Sequence, residues 1–511
     1  MCGIAGIWGR SDAQLVRRMM DRLAHRGPDA EGIYGEPGDA GMLGHRRLSI
    51  VDPAGGDQPI LAGEPPRAIV ANGEIYNSPR LREELEARHQ FLTRSDSECA
   101  LHLYHERGPE AAAGLDGMFA FAIAAGDHLY AARDAIGIKP LYFGRRDGAL
   151  VFSSELKAME GIAGDVREFP PGTWYHSGLG FHRYYQVPES APAELPLAEH
   201  LRSLRLTLER AVVKRLMSDV PVGAFLSGGL DSSLIAALAR RHLPELRTFS
   251  VGVAGSRDLL AARRVADHIG SIHHEYVYDA EEVRRRLPEI IHSLESFDQD
   301  LVRSAIPCYF ASRLAAERVK VILTGEGADE LFAGYDYYKG IADPGVLHRE
   351  LQRSVRSLHN MNLQRVDRLT MAHSIEGRVP FLDVDMIALA QTVPPRLKLA
   401  VGGGGGPVEK WILRKACEDL LPPEIAWRDK EQFDEGSGTV DLIGGLWRHW
   451  LPANHAVAYA RRHARARLRS AEECAYHKIL CDGYDDAPVI LDNVARWSHR
   501  PPGIGGAPGA C

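Results

Sequence analysis

The hydrophobic pattern of this 511-residue chain changes near residue 190, and that change limits the folds available to it. Before residue 190, short β-type runs such as GMLGHRRLSIV and GMFAFAIAAG alternate with Gly/Pro/Asp turns. Runs this dense predict antiparallel sheets in two stacked layers, with helices such as SPRLREELEARH between them. After residue 200, buried strands alternate with long helical tracts, which predicts a parallel sheet. The expected fold class is therefore α+β followed by α/β, with a largely helical C-terminal part.

Composition then places the boundaries. The segment VPESAPAELPLAEH is rich in Pro, Ala and Glu and predicts a linker at 191–199. We expect a first domain at 2–190 and a second at 200–498, because a chain of this length exceeds one ordinary core. The tail RPPGIGGAPGAC predicts disorder over 499–511, and the glycine run Gly402–Gly406 predicts a flexible loop.

Charge and cysteine usage exclude several classes of protein. The net charge is −7, from 61 basic and 68 acidic residues, which argues against a nucleic-acid partner. The chain has neither an apolar run near the ~18 residues that a membrane span needs nor a signal-peptide layout, so we expect no membrane partner and a cytoplasmic location. Seven scattered cysteines without a CxxC pair indicate neither a zinc ribbon nor a disulfide framework. The oligomeric state stays open, with a homodimer among the alternatives.

The stretch MCGI places a cysteine directly behind the initiator methionine. If Met1 is removed, Cys2 carries both a thiol and a free α-amine. The thiol has a pKa of ~8.5 and the amine one of ~7.7–8.0, so near neutral pH the amine can accept the thiol proton. One residue would then supply nucleophile and base. A cysteine at this position is more often incidental when it stands alone, so the motifs that follow decide its role.

Four motifs, MCGI, AHRGPDAEG, RLSIVD and NGEIYN, are followed by RSDSE. Together they resemble the glutaminase domain of class II (N-terminal nucleophile) glutamine amidotransferases. The resemblance implies that Cys2 attacks the side-chain amide of glutamine, and that Asn72 and the backbone N–H of Gly73 form the oxyanion hole. An amide beside a permissive glycine is a sensible donor pair, and loss of one such donor commonly costs ~10²–10³ in rate.

The same resemblance assigns the residues that bind glutamine. Arg47 would grip the α-carboxylate in a bidentate pair, and Glu74 and Asp96 would take the α-ammonium. The alternative is that NGEIYN is a structural turn and Arg47 a surface cation. The other residues expected in the glutamine site, beside Asn72 and Gly73, are Leu48, Ser49, Ile50 and Val51.

A second glycine-rich stretch, FLSGGLDSS, lies between a predicted strand and a helix. It lacks the lysine of a Walker A loop, but backbone N–H groups at Gly228 and Gly229 predict an anion site at the helix N-terminus. Asp231 would repel an anion there unless a cation intervenes, which argues for Mg²⁺. The stretch resembles the pyrophosphate loop of ATP pyrophosphatases, enzymes that cleave ATP between the α- and β-phosphates.

Further motifs are LTGEGADELFAGYDYY, SIEGRVPFLD, EKWILRKA and WRDKEQFDEGSG. With them the chain resembles glutamine-hydrolysing asparagine synthetases from Cys2 to at least Gly438. The resemblance implies a critical carboxylate at Glu326 and a mobile charge at Lys430 on the α-phosphate or pyrophosphate. Asp231 and Asp329 would bind Mg²⁺. The residues expected around ATP are Leu226, Ser227, Gly228, Gly229, Leu230, Asp231, Ser232, Val251, Thr324 and Gly325.

The function implied is a glutamine-dependent amide-forming ligase with ATP as a substrate. Glutamine would be hydrolysed at Cys2 through a thioester, and the ammonia would cross a dry passage between the domains. There it would attack a carboxylate, most simply L-aspartate, that has been activated as its acyl-AMP. The products would be asparagine, AMP, pyrophosphate and glutamate.

Several alternatives stay open at this point. Some asparagine synthetases carry an aspartate where this chain has Asn362, so the acceptor could be another carboxylate in specialised metabolism. β-Lactam-forming synthetases are expected to lack the thiol, and amidotransferases acting on phosphoribosyl or sugar-phosphate substrates would lack SGGLDSS. A non-catalytic glutamine or nucleotide sensor predicts broken catalytic positions, whereas Cys2, Asn72, Glu326 and Lys430 are all present.

Overall fold

The structure is a computed structural model that describes residues 2–64, 66–401, 406–485 and 487–496. The tail predicted at 499–511 and most of the glycine run at Gly402–Gly406 lie outside the described residues. None of the described helices is long and apolar enough to cross a membrane.

Two six-stranded antiparallel sheets make up the N-terminal part. The strands are β1 Gly3–Trp8, β2 Ala30–Tyr34, β3 Gly41–Arg47, β4 Ile60–Ala62, β5 Arg67–Ile75, β6 Gly117–Ala125, β7 His128–Arg133, β8 Tyr142–Arg146, β9 Ala149–Ser153, β10 Gly164–Glu168, β11 Thr173–His176 and β12 Gly180–Arg183. The order in one sheet is β10-β8-β9-β1-β3-β2, and in the other it is β12-β11-β7-β6-β5-β4.

Strand β6 shows why these sheets stack. Its alanines at 120, 122 and 124 pack between the two sheets, where small side chains let the layers approach closely. Phe119, Phe121 and Ile123 point to the opposite face and contact helices outside the sandwich. Both faces of the strand are therefore buried, and the predicted layered α+β arrangement is confirmed.

A five-stranded parallel sheet lies in the second part of the chain. Its strands are β13 Val222–Phe225, β14 Arg247–Gly252, β15 Ile272–Val277, β16 Val321–Leu323 and β17 Glu376–Arg378, and a hairpin of β18 Ala400–Val401 and β19 Pro407–Val408 follows. The order is β15-β14-β13-β16-β17, with every pair parallel. Strands β13 and β16 are neighbours, so their carboxyl ends meet at one edge, where an open α/β sheet binds its ligands.

Helices pack against the antiparallel sandwich and the parallel sheet, and they form most of the C-terminal part, as expected. They are α1 Ala13–Arg22, α2 Ser78–Leu85, α3 Ser97–Arg107, α4 Leu197–Lys214, α5 Leu230–His242, α6 Arg257–Ile269, α7 Ala280–Leu294, α8 Gln299–Ala316, α9 Ala328–Phe332, α10 Pro344–Arg356, α11 Asn362–Met371, α12 Val384–Thr392, α13 Pro395–Lys398, α14 Trp411–Cys417, α15 Pro423–Ala426, α16 Phe433–Gly436, α17 Thr439–Ile443, α18 Ala453–Arg462, α19 Ala471–Asp482 and α20 Ala487–Leu491. Short 3₁₀ turns lie at Ala24–Arg26, Gly108–Gly114, Leu156–Met159, Asp336–Gly340, Leu358–Asn360, Pro380–Leu382, Glu418–Leu420, Leu446–His449 and Ala464–Ala466.

Ion pairs join the antiparallel sandwich to the second part of the chain. Arg26, in the first 3₁₀ turn, pairs with Asp367 on α11 at 2.7 Å. Lys214 near the end of α4 pairs with Asp116 of the sandwich at 2.7 Å and with Asp383 at 3.1 Å. These contacts place the two sequence-predicted sites on one continuous framework.

Two candidate active sites

Cys2 lies where the two antiparallel sheets meet. It is buried directly before β1, and its backbone nitrogen lies 2.9 Å from Asn72 Oδ1 on β5 of the other sheet. Arg26 Nε donates a hydrogen bond to the Cys2 carbonyl oxygen at 3.0 Å. The residue is thus held on both sides of its backbone. Burial raises the pKa of the Cys2 thiol, so the thiol needs a base close by in order to react.

The oxygen of the Asn72 side-chain amide accepts a hydrogen bond, whereas its nitrogen is unpaired among the described residues. The side chain is fully buried, and Asn72 Nδ2 has no hydrogen-bond partner among the described residues. A buried donor without a partner is unfavourable unless a ligand accepts its hydrogen bond. Gly73 beside it has a φ of +138°, and a Cβ there would overlap the Met118 carbonyl oxygen. Only glycine fits that position, and it directly follows the residue with the unpaired amide nitrogen; an oxyanion hole formed by the two stays a prediction.

Arg47 at the end of β3 is fixed by the loop that follows it. Its Nη1 donates to Asp57 Oδ1 at 2.6 Å and to the Pro53 carbonyl at 3.2 Å, and its Nη2 donates to the Asp52 carbonyl at 2.6 Å. The predicted residues Leu48, Ser49, Ile50 and Val51 form the start of this loop, and the Ser49 N–H donates to Asp29 Oδ2 at 2.7 Å. The guanidinium is therefore pre-positioned in the same region as Cys2.

Two buried carboxylates complete the first site. Asp96 Oδ2 accepts the Ile75 N–H at 2.5 Å, and burial raises the pKa of Asp96 to about 6. Burial also raises the pKa of Glu74, and the nearby Glu376 adds to the shift. Glu74 Oε2 is buried and accepts no hydrogen bond from the part of the chain that the structure describes. A buried carboxylate is unfavourable without nearby cations, and an α-ammonium would add one here.

The second site is an open cleft with about 1070 Å³ of empty space at the carboxyl ends of β13 and β16. Of the predicted nucleotide residues, all but Gly228 line it. Gly228 has a φ of +73°, and its missing side chain lets the turn pack against α6. The predicted residues that line the cleft, with the catalytic and metal candidates, are Leu226, Ser227, Gly229, Leu230, Asp231, Ser232, Val251, Thr324, Gly325, Glu326, Asp329 and Lys430.

Two lysines and two aspartates meet at the mouth of the anion turn. Lys410 Nζ lies 2.5 Å from Asp231 Oδ2 and 2.6 Å from Asp329 Oδ1. Lys430 Nζ lies 3.0 Å from Asp329 Oδ2. Burial alone would raise the pKa of Asp329, but Lys410 and Lys430 hold it below its usual range. The Asp329 carboxylate is therefore kept ionised by two lysine ammonium groups.

The carboxylates can be tested as magnesium ligands. Among the described residues, no cluster of three or more His, Cys, Asp or Glu could hold a metal by itself. Mg²⁺ is commonly bound by one or two carboxylates, with substrate phosphates and water completing the shell. Asp231 and Asp329 converge on one cation, and Asp231 Oδ1 is buried with no hydrogen-bond partner in the described segments. These residues fit Mg²⁺ that arrives with a nucleotide.

Glu326 is held by two contacts in the cleft. Its carboxylate forms a close ion pair with Arg365 on α11, and its N–H donates to Thr324 Oγ1 at 3.1 Å. Arg365 also lines the cleft, beside Cys308 and Val366. The Arg365 guanidinium therefore fixes Glu326 in a largely enclosed position, and the sequence motifs did not point to Arg365.

Asn362, the departure noted in the sequence, does not line the cleft. Its Nδ2 donates to Tyr335 Oη at 2.9 Å and to Glu330 Oε1 at 3.2 Å. Burial raises the pKa of Glu330 to about 7. Asn362 therefore contacts Glu330 and Tyr335 and not the open cleft.

Lys410 and Arg378 were not among the site residues predicted from the sequence, and the reason is the same for both. Each lies in a motif that the sequence had singled out, EKWILRKA and SIEGRVPFLD, but no local pattern ranks one cation above another. Lys410 has a φ of +54°, a conformation that only a few per cent of non-glycine residues adopt and that often marks functional sites. The requirement for a cation beside Asp231 and Asp329 was the one signal that could have drawn attention to it.

Residues 1–174 match the Glutamine amidotransferase domain family, and residues 203–344 and 340–456 match the Asparagine synthase family. An asparagine synthetase [glutamine-hydrolyzing] of Triphysaria versicolor is 41% identical over 88% of this chain and 80% of its own length. The chain belongs to the glutamine-hydrolysing asparagine synthetase family.

Other relatives carry the same description. Asparagine synthetase [glutamine-hydrolyzing] 1 of Arabidopsis thaliana is 40% identical over 88% of this chain and 80% of its length. Asparagine synthetase [glutamine-hydrolyzing] 2 of Oryza sativa subsp. japonica is 42% identical over 88% of this chain and 79% of its length. The resemblance inferred from the motifs is thus confirmed for this asparagine synthetase family member over most of its length.

Proposed function

We propose that this asparagine synthetase family member makes asparagine from L-aspartate, ATP and glutamine at the two sites described above. The observation that carries the proposal is the pairing, within one chain, of Cys2 and the unfilled Asn72 amide with a lysine–carboxylate anion cleft. The first site supplies nitrogen and the second activates a carboxylate. We propose domain limits of 2–190 and 200–498, with a linker at 191–199, and a cytoplasmic location without a nucleic-acid partner.

In the first site, removal of Met1 leaves the Cys2 α-amine as the base. The amine takes the thiol proton, and the sulfur attacks the side-chain carbonyl carbon of glutamine. The negative oxygen that forms is stabilised by Asn72 Nδ2 and the Gly73 N–H. Collapse breaks the C–N bond, the protonated amine returns its proton to the leaving nitrogen, and ammonia departs. Water then hydrolyses the thioester to glutamate and restores Cys2.

In the second site, the aspartate side-chain carboxylate attacks the α-phosphorus of ATP, and pyrophosphate leaves. Lys430 and Lys410 stabilise the negative charge that builds on the phosphates. Ammonia attacks the acyl carbon of the resulting acyl-AMP, with Glu326 placed to accept a proton from the incoming nitrogen. AMP leaves with its bonding electrons, and asparagine is formed.

Asp231 and Asp329 would hold Mg²⁺ together with the nucleotide. When bound, the ion would neutralise phosphate charge and orient the leaving pyrophosphate. Lys410 contacts both Asp231 and Asp329 in the structure. Because Mg²⁺ would take over these carboxylates, Lys410 would turn to the phosphates.

The decisive experiment compares Cys2→Ala with Cys99→Ala. Cys99 is a buried cysteine on α3 in the same half of the protein, so it controls for loss of a buried thiol. We expect Cys2→Ala to abolish asparagine synthesis from glutamine and to keep synthesis from ammonium, and Cys99→Ala to keep both. Glutamine-dependent synthesis by Cys2→Ala would refute the first site.

A different carboxylate acceptor is the second candidate, and Asn362 is the observation that favours it. Asn362 donates to Glu330, so the acceptor region has one negative charge fewer than an aspartate at 362 would give. ATP–pyrophosphate exchange against a panel of carboxylic acids separates the two candidates. Exchange that L-aspartate does not stimulate, but another acid does, would select the alternative.

A further inference from the structure

Arg378 is a cation of the parallel sheet whose side chain reaches the antiparallel sandwich. It is the last residue of β17 and is fully buried. Its Nη1 donates to the carbonyl oxygens of Arg215 at 2.7 Å and Met217 at 2.6 Å, and its Nε donates to Glu376 Oε1 at 2.6 Å. The guanidinium is therefore held in one orientation.

The remaining nitrogen of this guanidinium meets the glutamine site. Arg378 Nη2 lies 3.3 Å from Glu74 Oε1, and both side chains are almost wholly shielded from water. Glu74 belongs to β5, directly after the Asn72–Gly73 pair. One Glu74 oxygen therefore contacts Arg378, and the other, Oε2, has no hydrogen-bond partner within the described chain. The free oxygen is the group available for a ligand cation.

The charges around Glu74 show why Arg378 is needed. Glu376 on the parallel sheet and Asp96 on the sandwich are both acidic and both disfavour an ionised Glu74. Arg378 is the side chain that offsets them, and it lowers the pKa of Glu74 against the effect of burial. A neutral Glu74 could not pair with an ammonium group, so the charge of the site depends on Arg378.

The backbone of Arg378 is tied to the nucleotide cleft. Its carbonyl oxygen accepts the Thr324 N–H at 2.9 Å, and Thr324 lines the cleft. The backbone that carries this side chain is thus hydrogen-bonded to a residue of the cleft wall.

We propose that Arg378 is a positioning residue for glutamine, supplied to the first site by the synthetase half of the chain. It contacts Glu74 Oε1 and so orients the carboxylate with Oε2 left for the α-ammonium of the substrate. The inference rests on the proposed function of the first site and adds a residue that lies outside the matched amidotransferase region 1–174.

The test uses the full chain with Arg378→Met, Arg378→Lys and a control, Lys214→Met. Lys214 is a cation at the same boundary that pairs with Asp116 and Asp383 and does not contact Glu74. The readouts are KM and kcat for glutamine hydrolysis and the rate of ammonium-dependent synthesis. Arg378→Met should raise KM for glutamine about tenfold or more with kcat changed less than about threefold. Arg378→Lys should recover part of that loss, and Lys214→Met should leave KM unchanged.

A second measurement separates positioning from general damage. Calorimetry in the Cys2→Ala background compares L-glutamine with 4-carbamoylbutanoate, which lacks the α-amine. Arg378→Met should weaken binding of glutamine about tenfold and leave binding of the deaminated analogue unchanged, because only glutamine presents an ammonium to Glu74. Equal weakening of both ligands, or an unchanged KM for glutamine, would overturn the proposal. Failure of the proposed function would be seen separately, as glutamine-dependent synthesis by Cys2→Ala itself.

Discussion

Arg26 and Asp367 form a two-contact ion pair, with distances of 2.7 and 3.2 Å, between residues that are 341 positions apart in the chain. Both side chains are buried, and Arg26 also contacts Glu155 Oε1 at 2.5 Å and the Cys2 carbonyl at 3.0 Å. The backbone of the proposed nucleophile is thus held by an arginine that is itself anchored in the synthetase half. Glutamine hydrolysis should therefore depend on residues beyond the sandwich.

Asp367→Asn tests that dependence. Burial alone would raise the pKa of Asp367, but Arg26 holds it below its usual value, so the carboxylate is charged at neutral pH. Its stabilising effect is present above the unfolded pKa of ~3.9 and is lost as pH falls through the lower folded pKa. We expect the variant to lose about 3–5 kcal/mol of unfolding free energy at pH 7, measured by urea denaturation. Glutaminase kcat should fall with it.

The control for that variant is Asp441→Asn, at an exposed aspartate of α17. It should change neither the unfolding free energy nor kcat. If Asp367→Asn unfolds at the same urea concentration as the parent, the buried pair is not stabilising and the link to Cys2 fails.

Lys410→Met tests the cation cluster of the nucleotide cleft. Lys410 contacts both Asp231 and Asp329, so its removal leaves two carboxylates facing the phosphates with Lys430 alone. The rate of aspartate-stimulated ATP–pyrophosphate exchange should fall ~10²–10³-fold. Lys415→Met, one turn further along α14, should leave the rate within about twofold of the parent. An undiminished exchange rate in Lys410→Met would remove this lysine from the phosphate site.

Much of the second site could be predicted from its strands. VPVGAFL, TFSVGV and VKVILTG are short apolar runs, and they form β13, β14 and β16. Because parallel neighbours end at one edge, the glycine turns that follow β13 and β16 had to meet. Strand β15 was not predicted, since its sequence IHHEYV alternates polar residues at an exposed edge, and β17 has only three residues.

The contacts between the two halves could not be predicted. Arg378 and Glu74 come together only after two sheets have folded and docked, and nothing in the local periodicity of either segment records that contact. The same holds for Asn362, which motif comparison placed near the acceptor but which the structure turns towards Glu330. Sequence motifs singled out residues of the two proposed sites, whereas the residues that hold those side chains in place are set by packing.

Asn362→Asp tests the layer behind the acceptor region. The change replaces a donor to Glu330 and Tyr335 by a second carboxylate, next to a glutamate whose pKa burial already raises to about 7. When folding raises the pKa of a carboxyl group, the folded state disfavours its ionised form. The free energy of unfolding therefore falls as pH rises through the folded pKa. We expect a lower melting temperature than the parent at pH 8 and a smaller difference at pH 6, by differential scanning calorimetry. A difference independent of pH would show that the two carboxylates do not interact.

Lys398→Met should stabilise the protein, because Lys398 is a buried cation with no counter-charge among the described residues. Its side chain is fully buried on α13, its Nζ has no hydrogen-bond partner in the described ranges, and burial lowers its pKa to about 7. Between pH 7 and the unfolded pKa of ~10.4, the unfolded chain binds a proton that the folded protein does not, so parent stability rises with pH in that window. We expect Lys398→Met to melt higher than the parent at pH 7, with the gap narrowing towards pH 9.5. The exposed neighbour Arg396→Met, on the same short helix, should show no such gap. A Lys398→Met protein that melts below the parent at pH 7 would show that the ammonium is paired in solution.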